Sequence, residues 1–325
     1  MSKNITLLVF LTFRFLSIIS AQTESNLISG SVIDNKTGIP ISYASVFISG
    51  SLWGTTTDKN GNFTLKNIPS GNYEVVASMV GYGILSKIIN VSADKPLRIV
   101  FRMDEKVYQM EEIKTSESSR EWKKNLEVFK KYFIGQSPFA EQCTIEDETI
   151  VDFRKSDDTL FASAERSLLI NNKALGYRLE CYLILFNYNS AENIFNSITK
   201  SKFTELIPED DDEKELWVKN RKTACLNSFK RFLVSLIRND FIKKGYWIAY
   251  KSPYYEIELS NTDIIMGRDT LTNEYHLGFD NSLLVEFSPE SKENYNYRRP
   301  CKSSITCLYN SITLDQFGNQ KEALH

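Results

Sequence analysis

Residues 27–103 consist of short segments in which apolar and polar residues alternate, with turn residues between them at close intervals. Residues four apart in a strand share a face, so Ile28 and Val32 are predicted to point into one core. Gly38 falls in the first turn, where glycine adopts positive φ without steric cost. The pattern predicts a small antiparallel β-sandwich with an apolar interior.

The same stretch carries glycine, proline, aromatic and β-branched residues in a characteristic order. They are Gly30, Val32, Asp34, Gly38, Pro40, Ala44, Val46, Thr56, Thr57, Asp58, Gly61, Phe63, Pro69, Gly71, Tyr73, Val75, Gly81 and Tyr82. This order resembles the carboxypeptidase-regulatory-like domain. The resemblance implies a prealbumin-like (transthyretin-like), Ig-like sandwich of seven strands. Such domains occur beside peptidases, receptors and surface proteins, often before outer-membrane receptors in Gram-negative envelopes, and carry no catalytic residues.

Residues 58–62 imitate the opening of an EF-hand calcium loop. An EF-hand also needs flanking helices and a bidentate Glu at loop position twelve. That position is Pro69 here. We therefore interpret residues 58–62 as a hairpin turn.

Residues 1–21 have the features of a secretory signal peptide: Lys3 near the start, an apolar stretch, and small residues before Gln22. Arg14 interrupts the apolar stretch. The alternative is an uncleaved anchor, but the apolar run is shorter than a spanning helix needs. No cysteine follows closely, which disfavours a lipid anchor. We predict cleavage after Ala21, no transmembrane span in the mature chain, and a periplasmic or outer-membrane-associated protein.

Residues 104–120 are charged, rich in serine and without clear periodicity, which is typical of a linker between domains. The sequence therefore predicts a sandwich at residues 22–103 and a second domain at residues 121–325. Apolar residues at helical spacing after Trp122 predict an amphipathic helix. The acidic residues 208–213 are predicted to form a solvated loop before one long helix at about residues 213–244. The second domain is predicted to be α+β, with mostly antiparallel strands.

The predicted long helix also resembles a segment of envelope proteins that carry the same regulatory-like domain. In those proteins the helix has the pattern R-x-x-A-Y-x-G-S-x-x-H-F-L. The matching positions are Arg221, Cys225, Asn227, Ser228, Arg231, Phe232 and Leu233. Cysteine, asparagine and arginine replace the aromatic residue, the glycine and the histidine, so a role shared with the family at these positions does not follow.

Composition excludes several classes of protein. The 325 residues carry a net charge of −2, which gives no basic face for nucleic acid. Five cysteines, an odd number, lie outside the sandwich and lack CxxC spacing, so buried free thiols are expected and any disulfide pairing stays open. The two histidines, His276 and His325, do not form a zinc-carboxypeptidase site, which needs two histidines and a glutamate on one metal.

No catalytic, cofactor-binding or metal-binding residues are predicted. The sequence lacks a G-x-S-x-G elbow, a P-loop and a G-x-G-x-x-G fingerprint. A non-catalytic envelope protein that binds a protein or a glycan fits best. Two alternatives stay open: an accessory component of an outer-membrane uptake system of the TonB-dependent type, and a hydrolase that uses carboxylates alone in the second domain.

Overall fold

The computed structural model describes residues 26–92, 96–106, 119–226, 228–272, 274–288, 301–306, 311–316 and 318. The predictions for residues 1–21, for His325, for Cys307 and for most of the 104–120 linker lie outside these ranges. The side chain of Cys301 lies outside them as well.

The first seven strands form the predicted sandwich. They are β1 (Asn26–Asp34), β2 (Ser45–Ile48), β3 (Gly54–Thr56), β4 (Asn62–Ile68), β5 (Gly71–Ser78), β6 (Leu85–Val91) and β7 (Leu97–Met103). One sheet has the order β4-β1-β7 and the other the order β3-β2-β5-β6. All pairings are antiparallel except that of β1 with β7, which is parallel. Alternate residues of β1 and β7 point inward, and Ile28, Val32, Phe101 and Met103 are fully buried. The predicted seven-stranded sandwich is confirmed.

A second unit follows, built from one helix and a sheet of six strands. Its elements are α1 (Ser119–Phe133), β8 (Cys143–Ile145), β9 (Val151–Ser156), β10 (Thr159–Ala164), β11 (Leu168–Asn172), β12 (Tyr177–Asn189) and β13 (Ile194–Glu205). The apolar face of α1 packs on the sheet through Leu126 and Phe129, as its periodicity predicted. Phe129 meets Phe186 of β12 edge to face, with ring centroids 4.9 Å apart.

Strand β12 is the centre of this sheet. One edge of β12 pairs with β11 in the first half of the strand and with β10 at the end of the strand. The other edge pairs with β13 along its whole length. The register shifts between Leu183 and Leu185, so Ile184 is an extra residue on β12. Such a bulge bends the strand and increases its twist.

The rest of the described chain forms a third unit. Its elements are α2 (Asp211–Leu226), α3 (Phe229–Ile237), β14 (Tyr246–Lys251), β15 (Glu256–Glu258), β16 (Met266–Asp269), β17 (Glu274–Leu277), β18 (Ser282–Phe287), β19 (Cys301–Thr306) and β20 (Ile312–Leu314). One sheet has the order β15-β14-β18-β19 and another the order β16-β17-β20. Both cover a core that includes Leu236 of α3, Ile248 and Leu283. The pairings within these sheets are antiparallel, so the predicted α+β class is confirmed.

The single helix predicted at about residues 213–244 needs correction, because the structure divides it into α2 and α3. Ser228 is extended, with φ −74° and ψ 144°, and its hydroxyl accepts a hydrogen bond from the N–H of Arg231. A serine in this geometry starts a new helix. A short 3-10 turn and Gly245, with φ 84°, then end the helical region.

The sandwich packs directly against the second unit. The loop between β2 and β3 lies along β13, where the N–H of Gly50 donates to the carbonyl of Ser201 at 2.7 Å and the N–H of Phe203 donates to the carbonyl of Ser51 at 2.9 Å. Phe47 stacks on Tyr182 with ring centroids 5.7 Å apart. The sandwich thus adds backbone hydrogen bonds to the edge of the neighbouring sheet.

Candidate functional site

Asp34, one of the residues that carry the family resemblance, closes a turn. Its side chain is 5% exposed. It accepts hydrogen bonds from the N–H of Lys36, from the N–H and hydroxyl of Thr37, and from the Tyr82 hydroxyl at 3.1 Å. These donors, above all the N–H of Thr37, hold the pKa of the Asp34 carboxyl below its usual value. Every contact serves the fold, and none presents Asp34 to a ligand.

Asp58 belongs to the turn that imitates a calcium loop. Its carboxylate accepts hydrogen bonds from the N–H groups of Asn60 and Asn62, each at 2.8 Å. Gly61 has φ 74°, and a Cβ there would lie 2.6 Å from the carbonyl oxygen of Val32. The geometry is that of an Asx-type hairpin turn, as interpreted from the sequence.

Arg221 of the helix motif binds the turn between β11 and β12. Its guanidinium donates to the carbonyls of Leu175 and Gly176, at 2.7 and 3.1 Å, and lies 4.0 Å from the ring centroid of Tyr177. Trp217, one turn earlier, donates its indole N–H to the carbonyl of Lys173 at 2.8 Å. Helix α2 is therefore docked on the second unit, and Arg221 has a structural role.

The remaining described residues of the motif also serve the fold. Arg231 donates to the carbonyl of Leu226 at 2.7 Å, and Phe232 and Leu233 lie in the core of the third unit. Cys225 is an exposed free thiol, so the expectation that the free thiols are buried is wrong at this position. Asn227 lies outside the described residues. Apart from Cys225, the described motif residues therefore form a helix junction.

Among the described residues, His276 is the only histidine. Nδ1 of His276, on β17, lies 3.3 Å from the Thr313 hydroxyl. Within the described ranges, no cluster of three or more His, Cys, Asp or Glu side chains could hold a metal ion. Burial raises the pKa of the Cys143 and Cys181 thiols, which favours their protonated form.

A groove of about 380 Å³ lies on the sheet of β14, β15, β18 and β19. The half-exposed indole of Trp247 stands directly opposite Glu286 in the register, and Leu284 stands opposite Ser304. Its lining residues are Trp247, Glu256, Leu284, Val285, Glu286, Ser303 and Ser304. The groove therefore combines one large aromatic surface with carboxylate acceptors and hydroxyl groups.

Sequence reasoning missed this groove, although one signal was present. Along β14, Tyr246 and Ile248 are buried, so alternation places Trp247 on the opposite, solvent-facing side. A tryptophan on the exposed face of a strand is a candidate for ligand contact.

Asp152 bears on the hydrolase alternative. Burial and the nearby charge of Glu165 raise the pKa of its carboxyl. A carboxyl group with a raised pKa beside a second carboxylate is an arrangement that enzymes use for general acid catalysis. Asp152 lies on β9 of the second unit, whereas the groove lies on the third, so the two features do not combine into one site.

The sandwich has a recognisable family. The family model described as the CarboxypepD_reg-like domain matches residues 28–114. This confirms the resemblance drawn from the sequence of the sandwich. A comparison with curated proteins returns no match. In the described part of the chain, no helix has the length and apolar character needed to cross a membrane.

Solved structures resemble about a quarter of the chain. A type II cohesin–X-dockerin complex from Acetivibrio cellulolyticus is 28% identical with a TM-score of 0.20, over 24% of this chain and 56% of that one. The group B streptococcus pilus 2b backbone protein is 14% identical with a TM-score of 0.22, over 25% and 41%. BcpA, the major pilin subunit of Bacillus cereus, is 15% identical with a TM-score of 0.23, over 25% and 30%. At these TM-scores nothing about binding or assembly transfers to this chain.

Proposed function

We propose that this chain is an exported, non-catalytic binding protein of the cell envelope that holds a saccharide in the Trp247 groove. The observation that carries the proposal is the composition of the groove. The groove is lined by the half-buried Trp247, by the carboxylates Glu256 and Glu286, and by Ser303 and Ser304. The proposed export rests on the signal-like residues 1–21.

The chemistry of the groove suits a polyol. An aromatic ring offers a flat apolar surface to the C–H face of a sugar ring. Carboxylates accept hydrogen bonds from sugar hydroxyls, and serine hydroxyls both donate and accept. A volume of about 380 Å³ is within the range of ligand sites, about 300–1,000 Å³. Because Trp247, Leu284, Glu286 and Ser304 lie on the outward face of the sheet, the groove accommodates a segment of a longer chain.

A non-catalytic role is favoured over the hydrolase because Asp152, whose carboxyl has a raised pKa, lies on β9 and not on the sheet that carries the groove. The structure offers no specific observation in favour of an accessory role in uptake. A protein partner competes with the saccharide as occupant of the groove, and the binding experiment separates the two.

The test measures binding of purified envelope polysaccharide by isothermal titration calorimetry, in parallel with capture of envelope proteins. Trp247→Ala is expected to weaken polysaccharide binding at least about fivefold, since losing one stacked aromatic removes about 1–3 kcal/mol of binding free energy. Tyr254→Ala is the matched control, because Tyr254 is an aromatic of the same unit that is 93% exposed and lies outside the groove lining. Equal binding by both variants, or capture of proteins alone, would refute the proposal.

A further inference from the structure

The outer edge of β13 has a free segment. The carbonyl of Ser201 and the N–H of Phe203 point away from β12, towards Gly50 and Ser51. Because backbone groups alternate along a strand, the N–H and C=O groups of Phe195, Ser197 and Thr199 point to the same side. In the part of the chain that the structure describes, no strand pairs with residues 194–199 on this side.

This free edge lacks the protection that natural edge strands carry. Edges are usually blunted by short length, Lys, Pro or a bulge. β13 is 12 residues long, and residues 194–199 read IFNSIT, without charge, proline or glycine. Ile194 is 52% exposed and Phe195 is 45% exposed. The bulge of this hairpin lies on β12, so β13 stays regular. A neutral segment of high β-propensity on an open edge is suited to strand addition.

We infer that this edge pairs with the same edge of a second copy of the chain, antiparallel, about a two-fold axis at Ser197. In that register Phe195 faces Thr199 of the other copy, and Ser197 faces its own symmetry mate. All three outward-pointing residues of each copy are then hydrogen bonded. The pair of Phe195 with Thr199 joins an aromatic to a β-branched side chain, which is a favourable cross-strand combination.

The boundaries of the free segment fit a second copy. At one end the segment stops at Ser201, where Gly50 already occupies the edge. At the other end it stops at the hairpin turn that precedes Ile194. In the antiparallel register, the turn of the partner copy lies beside Ser201. The paired segment therefore ends at the residue where Gly50 of the sandwich already contacts β13. Charge also allows the pairing, because residues 194–199 are neutral and Lys200 is engaged by Glu74.

The first experiment is sedimentation velocity of the purified chain over about 1–200 μM. Strand pairing alone buries less than a standard interface, so a dimer with micromolar affinity is expected. Ser197→Pro removes an N–H that points away from β12 and is expected to give a monomer with unchanged circular dichroism. Ser197→Thr keeps the N–H and is expected to stay dimeric. A monomeric wild type over the whole range, or a Ser197→Pro chain that still dimerises, would overturn the inference.

A second experiment tests the register. Hydrogen-bonded partners in antiparallel strands have Cα atoms about 5.5 Å apart, which is within disulfide range. In a Cys225→Ser background, which removes the exposed thiol among the described cysteine side chains, Ser197→Cys is expected to oxidise to a covalent dimer. Thr204→Cys, beyond the segment that Gly50 and Ser51 cover, is the control and is expected to stay monomeric under the same oxidant. Equal cross-linking of both variants would reject the two-fold register at Ser197.

Discussion

The sandwich and the two later units use their polar and aromatic residues differently. In the sandwich, Asp34 and Asp58 are engaged in turns, and Thr57, which is 1% exposed, donates its hydroxyl hydrogen to the carbonyl of Ile41 at 2.7 Å. In the later units, Trp247 lines a groove and Phe195 stands on an open strand edge. The difference shows that the segment with the clearest family resemblance reports a fold, whereas the surfaces suited to binding lie where no motif marks them.

The largest effect is expected from a substitution in the apolar core of the sandwich. Phe101→Ala removes a fully buried ring, and such truncations cost about 3–5 kcal/mol of unfolding free energy. Val100→Ala is the matched control, because Val100 is the preceding residue of the same strand and is 36% exposed. Urea unfolding followed by circular dichroism measures both. A similar loss in the two variants would contradict the assignment of the core.

Substitution of one glycine in the sandwich and one in the second unit compares how tightly the two regions are packed. Gly61→Ala places a Cβ 2.6 Å from a backbone carbonyl, and Gly176→Ala places one 2.2 Å from the Trp217 ring. Each substitution is expected to lower the free energy of unfolding by about 2–4 kcal/mol, because it adds overpacking to the strain of a left-handed backbone conformation. Gly38→Ala is the control, since its φ of 71° is similar but nothing lies within 4 Å; about 1 kcal/mol is expected. Thermal unfolding of the three variants gives the ranking, and an equal cost at all three positions would exclude a role for the close contacts.

The contact between the two regions is expected to have a smaller effect. Glu74 of β5 and Lys200 of β13 form an ion pair whose side chains are 22% and 13% exposed. A double-mutant cycle with Glu74→Gln and Lys200→Gln is expected to give a coupling energy of about 1 kcal/mol. The pair of Asp147 with Arg166 serves as comparison, because its side chains are 41% and 60% exposed and such pairs often contribute nothing measurable. If Glu74 and Lys200 do not couple, this ion pair does not stabilise the contact between the sandwich and β13.

Features that depend on local periodicity were predicted from the sequence. The alternation of residues 27–103 predicted a β-sandwich, the family resemblance implied its seven strands, and the apolar spacing after Trp122 predicted α1. The break between α2 and α3 was missed because apolar residues continue across it. Its only local signal is Ser228, a good N-cap residue whose role depends on an extended backbone.

Features that depend on register between distant strands were out of reach. The groove forms because Trp247 lies opposite Glu286 and Leu284 lies opposite Ser304. A shift of one residue in either pairing would turn these side chains to the other face. The free edge of β13 likewise follows from which strand is its neighbour, and sequence alternation does not specify neighbours.

The smallest expected effect is on acid stability, and it compares Asp34 of the sandwich with Asp269 of the third unit. Hydrogen bonds lower the pKa of both carboxyls in the folded chain. A group of this kind stabilises the fold above its unfolded pKa, about 3.9 for Asp, and this contribution disappears as pH falls through the folded pKa. Asp269 accepts from Leu271 and Thr272, which are its near neighbours in sequence. Asp34 also accepts from Tyr82, which is 48 residues away.

Because contacts between near neighbours persist in part in the unfolded chain, Asp34 is expected to contribute more of the pH dependence than Asp269. Asp34→Asn removes the titrating group, so the thermal midpoint of this variant is expected to fall less than that of the wild type between pH 5 and about 2.5. Asp269→Asn is expected to keep nearly the wild-type slope. Thermal unfolding at half-unit pH intervals measures all three slopes. If Asp269→Asn reduced the pH dependence of the thermal midpoint as much as Asp34→Asn, the hypothesis would be wrong. The long-range hydrogen bond from Tyr82 would then add nothing to the acid stability that Asp34 provides.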